Sequence, residues 1–94
     1  MIKNVIKFDT QKEYEYIESI LLKNGFKWIG HEKDVKHPYR HVINSFLNLK
    51  YFEILDGNIY LVDQDSLNNE NYKFIVFDKN NVDFFIESHK MGLF

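Results

Sequence analysis

The chain has 94 residues, of which 28% are charged and 17% aromatic, and it carries a formal net charge of −2 and no cysteine. This length predicts one domain, residues 1–94, with a single core and little room for a deep catalytic cleft. Disulfides and thiolate metal sites are excluded, no apolar run approaches the roughly 20 residues of a membrane span, and we expect a cytoplasmic, non-enzymatic protein without a cofactor.

The first third of the sequence predicts a strand, a helix and a returning strand. Residues 2–8 alternate apolar and polar side chains, which is typical of a strand half-buried on a sheet. Thr10-Gln11-Lys12-Glu13 has the pattern of a capping box, and apolar residues at three- and four-residue spacing then predict a helix from about Gln11 to Asn24. Gly25 suits the left-handed turn that ends a helix. Phe26–Ile29 follows as a short aromatic strand.

The rest of the chain predicts further strands and helices. Residues 38–48 fit a helix, because a proline suits its first turn and apolar residues follow at helical spacing. Two apolar runs flank Asp56-Gly57-Asn58, which predicts a β-hairpin. Residues 64–71 are polar and read as a loop, and a strand follows from Tyr72. Residues 81–90 fit either a helix or a strand, and their apolar spacing favours a helix.

These elements predict an α+β fold. We expect one mostly antiparallel sheet with a β-α-β start and two or three helices packed on one face. The sequence shows no internal repeat, linker or domain boundary.

The segment HEKDVKHPYRH, residues 31–41, holds three of the four histidines and the only proline and arginine. A metal site would use His31, His37 and His41, but their spacing does not match a zinc-binding helix and Arg40 would repel a cation, so we expect no metal. An anion-binding site for a nucleotide or a single strand is a second interpretation, with an aromatic ring stacking on a base. Its residues would be Trp28, Lys36, Tyr39, Arg40 and His41. A solvated connection between two core segments is the third.

Negative charge is concentrated in the second half of the chain. Residues 1–50 carry nine Lys or Arg and six Asp or Glu, a balance of +3, whereas residues 51–94 carry three and eight, a balance of −5. No Lys or Arg lies between Tyr51 and Tyr72. Such a surface attracts a basic partner, unless it serves only solubility. The predicted partner-binding residues are Glu53, Asp56, Asp63, Asp65 and Glu70, which we expect to project together as one patch.

Residues 14–28, YEYIESILLKNGFKW, carry a weak resemblance to known proteins. The spacing of their apolar residues and the Gly-Phe-Lys-Trp ending resemble the opening of small orphan proteins encoded by bacteriophages and mobile elements. The residues that carry the likeness are Tyr14, Ile17, Leu21, Gly25, Phe26 and Trp28. The resemblance covers only this part of the chain, about the first third, and implies the class of anti-CRISPR or other anti-defence inhibitors, without assigning functional residues.

The sequence therefore supports two hypotheses about function. The first is a non-enzymatic inhibitor or adaptor that binds a host protein, such as a nuclease or another nucleic-acid-binding complex, through its acidic surface. The alternative is a small protein that binds a nucleotide or single-stranded nucleic acid through residues 28–41. Neither hypothesis involves a membrane, and the sequence leaves the oligomeric state open, a homodimer included.

Overall fold

A computed structural model describes residues 2–43, 49–68, 71 and 73–91 of the chain. Within these residues the fold is α+β, with five strands in one sheet and four α-helices. The elements in chain order are β1 (Ile2–Lys7), α1 (Gln11–Lys23), β2 (Lys27–Trp28), α2 (Tyr39–Ile43), β3 (Leu49–Leu55), β4 (Asn58–Asp63), α3 (Gln64–Leu67), β5 (Lys73–Phe77) and α4 (Val82–Lys90). A 3₁₀ turn, Lys79–Asn81, precedes α4.

The sheet is mixed, which corrects the expectation of a mostly antiparallel sheet. The strand order is β2-β4-β3-β1-β5 among the described residues. In that part of the chain β3 pairs antiparallel with β1 and with β4, whereas β5 pairs parallel with β1 and β2 pairs parallel with β4. Each parallel pair joins two strands that are far apart in the sequence, so no tight turn between them imposes an antiparallel direction.

The start of α1 shows how the sequence fixes a local boundary. The Thr10 hydroxyl accepts a hydrogen bond from the Glu13 amide at 3.2 Å and donates one to the Glu13 carboxylate at 3.3 Å. The predicted capping box is therefore present in a variant form, since Glu13 receives the Thr10 hydroxyl instead of the Thr10 amide. The predicted helix from Gln11 is confirmed, and Gly25 follows it at a φ of 92°.

The core cluster consists mainly of buried side chains from α1, α4 and the strands β1 to β4. Tyr14 of α1 is its centre, with its ring stacked on Phe52 at 5.2 Å and edge-on to Phe8 at 5.1 Å. Large rings bury much apolar area per residue, which suits a small domain. β1 departs from the predicted half-buried strand, because Asn4, Val5 and Ile6 are all buried in this interior strand.

The predicted hairpin is confirmed as β3 and β4. Asp56 and Gly57 form a two-residue turn with φ values of 54° and 80°, so both adopt the left-handed conformation of a type I′ turn. This turn matches the right-handed twist of the two strands and sets their register. The Gly57 carbonyl also accepts a hydrogen bond from the Lys27 amide at 3.1 Å, which ties the turn to β2.

The remaining elements follow the sequence in part. The predicted helix at 81–90 is confirmed as α4, and the strand expected from Tyr72 is present as Lys73–Phe77. Of the helix predicted over 38–48, residues 39–43 are helical and residues 44–48 lie outside the described residues. The prediction of a polar loop over residues 64–71 was wrong for residues 64–67. These residues form the short helix α3, which Asp63 caps. No helix in the described part of the chain is long and apolar enough to cross a membrane.

We predict that Gly57→Ala lowers the free energy of unfolding by about 1–2 kcal/mol, because a Cβ strains a left-handed residue. An added Cβ would meet no atom within 4 Å, so backbone strain is the only cost. Asp56→Asn is the control, since Asn tolerates this conformation and the change should stay within about 0.5 kcal/mol. Urea unfolding followed by Trp28 fluorescence measures both. Equal stabilities of Gly57→Ala and the wild type would contradict the turn assignment.

Candidate functional site

Glu18 is a buried carboxylate on α1 that joins three parts of the chain. Glu18 is 3% exposed. Its Oε2 atom accepts two hydrogen bonds. One comes from the Trp28 indole nitrogen at 2.9 Å and the other from the His37 backbone amide at 2.8 Å. A buried carboxylate needs such donors, because leaving water without replacing its hydrogen bonds is costly.

Tyr14 completes the attachment of the segment before α2. Its hydroxyl donates a 2.6 Å hydrogen bond to the His37 carbonyl. Both backbone polar groups of His37 are therefore bonded to side chains of α1, one turn apart. The backbone of His37 thus ties the polar segment, residues 31–41, to α1. We name the set Glu18, Tyr14, Trp28 and His37 the Glu18 cluster.

Burial governs the ionisation of the Glu18 cluster. Desolvation raises the pKa of Glu18, and the hydrogen bonds from His37 and Trp28 and the charge of Lys36 only partly oppose it. The pKa of the Tyr14 phenol is also raised, chiefly by burial and further by the nearby Glu18 charge. Tyr14 thus remains a hydrogen-bond donor over the whole physiological range.

His37 is the histidine of the segment whose environment changes its ionisation. The His37 ring lies 5.1 Å from Trp28 and 5.3 Å from the His41 ring. Burial lowers the pKa of His37, and the charges of His41 and His31 lower it further. His37 is therefore neutral at neutral pH, and a proton placed on the ring would meet like charges. Among the described residues, no group of three or more His, Cys, Asp or Glu side chains is placed to hold a metal ion.

The predicted anion-binding residues divide between the core and the surface. Trp28 is only 5% exposed and its indole N–H is bonded to Glu18, so its ring offers no open face to a base. Tyr39 is half-buried and packs against Phe8 and Tyr14. The basic residues Lys36, Arg40 and His41 are exposed. The structure thus keeps the positive charge at the surface and uses the aromatic rings to fill the core.

The predicted acidic patch is divided along the β3–β4 hairpin. Asp56 lies in the turn, and Asp63 and Asp65 lie at the opposite end of β4. Six strand residues separate these ends, which corresponds to about 20 Å. Glu53 faces the neighbouring strand, where the Lys3 ammonium lies 3.4 Å from its carboxylate. Glu70 lies outside the described residues.

The expectation of one patch is therefore wrong for the described acids, because an extended strand holds its two ends apart. Asp63 also has a local role, since its carboxylate accepts hydrogen bonds from the Ser66 amide at 2.9 Å and the Ser66 hydroxyl at 2.8 Å. These bonds lower the pKa of Asp63, so the residue is charged at neutral pH. Asp56 and Asp65 are exposed.

Glu18 is the residue that the sequence reasoning missed. It lies four residues after Tyr14 and three before Leu21, on the apolar stripe of α1, where a charged residue interrupts the pattern. A carboxylate at such a position is a signal of a buried polar contact. Its partners Trp28 and His37 lie 10 and 19 residues away, and nothing in the sequence identifies them.

Comparison of the chain with protein-family models, with curated proteins and with solved structures gave no match.

We predict that Glu18 makes the protein less stable as the pH rises. Because the folded-state pKa is raised above the ordinary 4.5, the folded protein binds the Glu18 proton more tightly than the unfolded chain does. This carboxyl group therefore lowers the free energy of unfolding as the pH rises from 4.5 through the raised pKa. Glu18→Gln should remove that part of the pH dependence, as measured by urea unfolding at a series of pH values. The control Glu15→Gln replaces an exposed carboxylate of the same helix. Parallel pH curves for Glu18→Gln and the wild type would contradict the prediction.

We predict that Tyr14→Phe loosens the segment before α2 without changing the fold. The variant leaves the His37 carbonyl without its hydroxyl donor, and such a loss costs about 1–3 kcal/mol. Trypsin should then cleave after Lys33 and Lys36 at least about fivefold faster, as followed by mass spectrometry of the peptides. Tyr16→Phe is the control, since Tyr16 is 51% exposed on the same helix. Unchanged cleavage in Tyr14→Phe would show that this hydrogen bond does not hold the segment.

Proposed function

We propose that the chain is a non-enzymatic inhibitor or adaptor of the cytoplasm that binds a nucleic-acid-handling protein through the hairpin β3–β4 and α3. The observation that carries this proposal is the charge of the hairpin surface. Residues 49–68 contain four carboxylates and one positively charged side chain, Lys50 of β3. A surface with an excess of one charge attracts an oppositely charged partner over a distance and speeds their encounter.

The fixed geometry of the hairpin supports this function. Asp56 is held in a two-residue turn, and Asp63 is held by its two bonds to Ser66. The Asp56 backbone and the Asp63 carboxylate therefore need no ordering when a partner binds, which lowers the entropic cost of association. Glu53 contributes less to the negative electrostatic potential of the hairpin surface, because the Lys3 ammonium lies beside its carboxylate.

The division of the acids favours an extended partner surface. Two negative ends about 20 Å apart match a basic track better than a single basic pocket. Proteins that bind nucleic acid carry such tracks, since they contact a row of phosphates. The expected β-α-β start and helices on one face of the sheet belong to this proposal, because they would leave the hairpin turn and α3 accessible. The weak resemblance to anti-defence inhibitors of bacteriophages agrees with this class of partner.

The test compares two baits that lose the same number of charges. The hairpin bait is Asp56→Asn/Asp63→Asn/Asp65→Asn, in which Asn tolerates the left-handed turn and can cap a helix as Asp does. The control bait is Glu32→Gln/Asp83→Asn/Glu87→Gln, which neutralises three exposed carboxylates elsewhere. The wild type and both baits are used for affinity purification from a host-cell extract, with identification of captured proteins by mass spectrometry.

We expect the wild type and the control bait to retain a nucleic-acid-binding protein that the hairpin bait loses. Duplex DNA and raised salt should release it, because they compete for or screen the same basic surface. Retention of the same proteins by all three baits would contradict the proposal. Direct binding of a labelled oligonucleotide by the chain, abolished in Lys36→Gln/Arg40→Gln, would instead support the alternative of an anion-binding protein.

A further inference from the structure

His89 of α4 places a titratable ring against the apolar core. Its ring centroid lies 4.8 Å from that of Phe85 and 6.2 Å from that of Phe26, and both pairs meet edge to face. The His89 Nε2 atom is buried and has no hydrogen-bond partner among the described residues. Buried polar groups are nearly always hydrogen-bonded, so an unpartnered imidazole nitrogen calls for a physical explanation. We name the place between Phe26 and Phe85 the His89 pocket.

The unpartnered nitrogen restricts the number of protons that the packed ring can hold. A neutral imidazole carries one N–H, and with that proton on Nδ1 it leaves Nε2 as an unprotonated acceptor. A second proton would make Nε2 a buried donor without an acceptor and would take a positive charge out of water, and both changes are costly. The His89 pocket therefore fits the neutral ring and disfavours the charged ring.

Among the described residues, the polar groups around the His89 pocket do not offer an acceptor for a second proton. β1 packs against α4 and contributes Asn4, which is 2% exposed and whose Nδ2 atom is another buried donor without a partner. The end of α1 contributes Asn24, but its Oδ1 atom already accepts a hydrogen bond from the Lys90 ammonium at 3.0 Å. Glu87 is exposed and lies two residues before His89, so their side chains do not face each other.

The same surroundings set the direction in which pH acts on this contact. β5 adds an apolar ring, since Phe77 packs edge-on against Phe85 at 5.6 Å, and its Lys73 is exposed. Burial lowers the pKa of His89 below the ordinary 6.5. The folded protein thus binds this proton less tightly than the unfolded chain does. The stability that depends on neutral His89 is complete above pH 6.5 and is lost as the pH falls from 6.5 through the lowered pKa.

The effect of a proton on His89 should be confined to the end of α4. The first two turns of the helix are held by three buried apolar side chains, Val82, Phe85 and Ile86. In the last turn, His89 packs on the aromatic rings, whereas Glu87, Lys90 and Met91 are exposed. A segment with few buried apolar contacts opens at a lower free energy than the rest of the fold.

We propose that His89 is a pH-sensitive switch for the end of α4: the neutral ring holds the last helical turn against Phe26 and Phe85, and the protonated ring releases it. In the released state the bond between Lys90 and Asn24 is broken, and the rings of the His89 pocket are exposed to water. This switch is independent of the proposed hairpin surface, because it lies between α4 and the end of α1.

The experiment combines NMR titration of the histidine rings with amide hydrogen exchange of the full chain, from about pH 8 to about pH 4.5. His89 should titrate below 6.5. As it takes up its proton, the protection factors of the last turn of α4 should fall at least about threefold, whereas those of α1 near Leu21 should not. The local measurement is needed because the pKa of His37 is also lowered, which gives the whole protein a pH dependence of the same sign.

Two neutral variants separate the proton from the packing. His89→Phe keeps an aromatic ring in the pocket without a titratable nitrogen, so its last turn should stay protected over the whole pH range. His89→Gln serves the same purpose if the phenyl ring does not fit. The control His31→Gln replaces an exposed histidine and should behave as the wild type does. Titration of His89 at or above 6.5, or a last turn that stays protected while His89 is protonated, would overturn the proposal. An equal loss of protection in the neutral variants and the wild type would overturn it too.

Discussion

Glu18 joins three parts of the chain through a single oxygen atom. Its Oε2 accepts from Trp28 of β2 and from the backbone of His37, and Tyr14 one turn earlier bonds the His37 carbonyl. Hydrophobic burial packs α1 against the sheet, but it is non-directional and does not select one path for a polar segment. The two hydrogen bonds at His37 do select one path for the segment before α2. They hold the backbone of His37 two residues before α2 begins at Tyr39.

This attachment explains why the histidine-rich segment differs from what its composition suggests. With His37 bonded to α1, the rings of Trp28 and Tyr39 belong to the core, and the exposed positive charge is left without a stacking surface. The buried carboxylate also limits the segment chemically. Its negative charge lies beside any anion that approaches His37, which makes the region a poor phosphate site unless Glu18 is protonated.

The β3–β4 hairpin and the outer strand β5 differ in the charge and polarity of their exposed side chains. At the hairpin, the turn and the cap of α3 hold carboxylates apart along β4, so the negative surface is long and narrow. At β5 the backbone edge is flanked by aliphatic side chains and by one charge of each sign. The hairpin surface is therefore mainly acidic, whereas the surface at β5 is mainly apolar.

The features that depend on residues close together in the sequence could be predicted from the sequence. The cap at Thr10, the turn at Asp56-Gly57 and the helical spacing of α1 and α4 are local, and each is present where the sequence predicts it. Three other features are visible only in the folded structure. They are the parallel pairing of β5 with β1, the burial of Glu18 and the separation of Asp56 from Asp63. These features join or separate residues through the strand order, which neither hydrophobic period nor turn chemistry specifies. A carboxylate's role in this small domain depends on what the fold places beside it, and the sequence alone does not contain that neighbour.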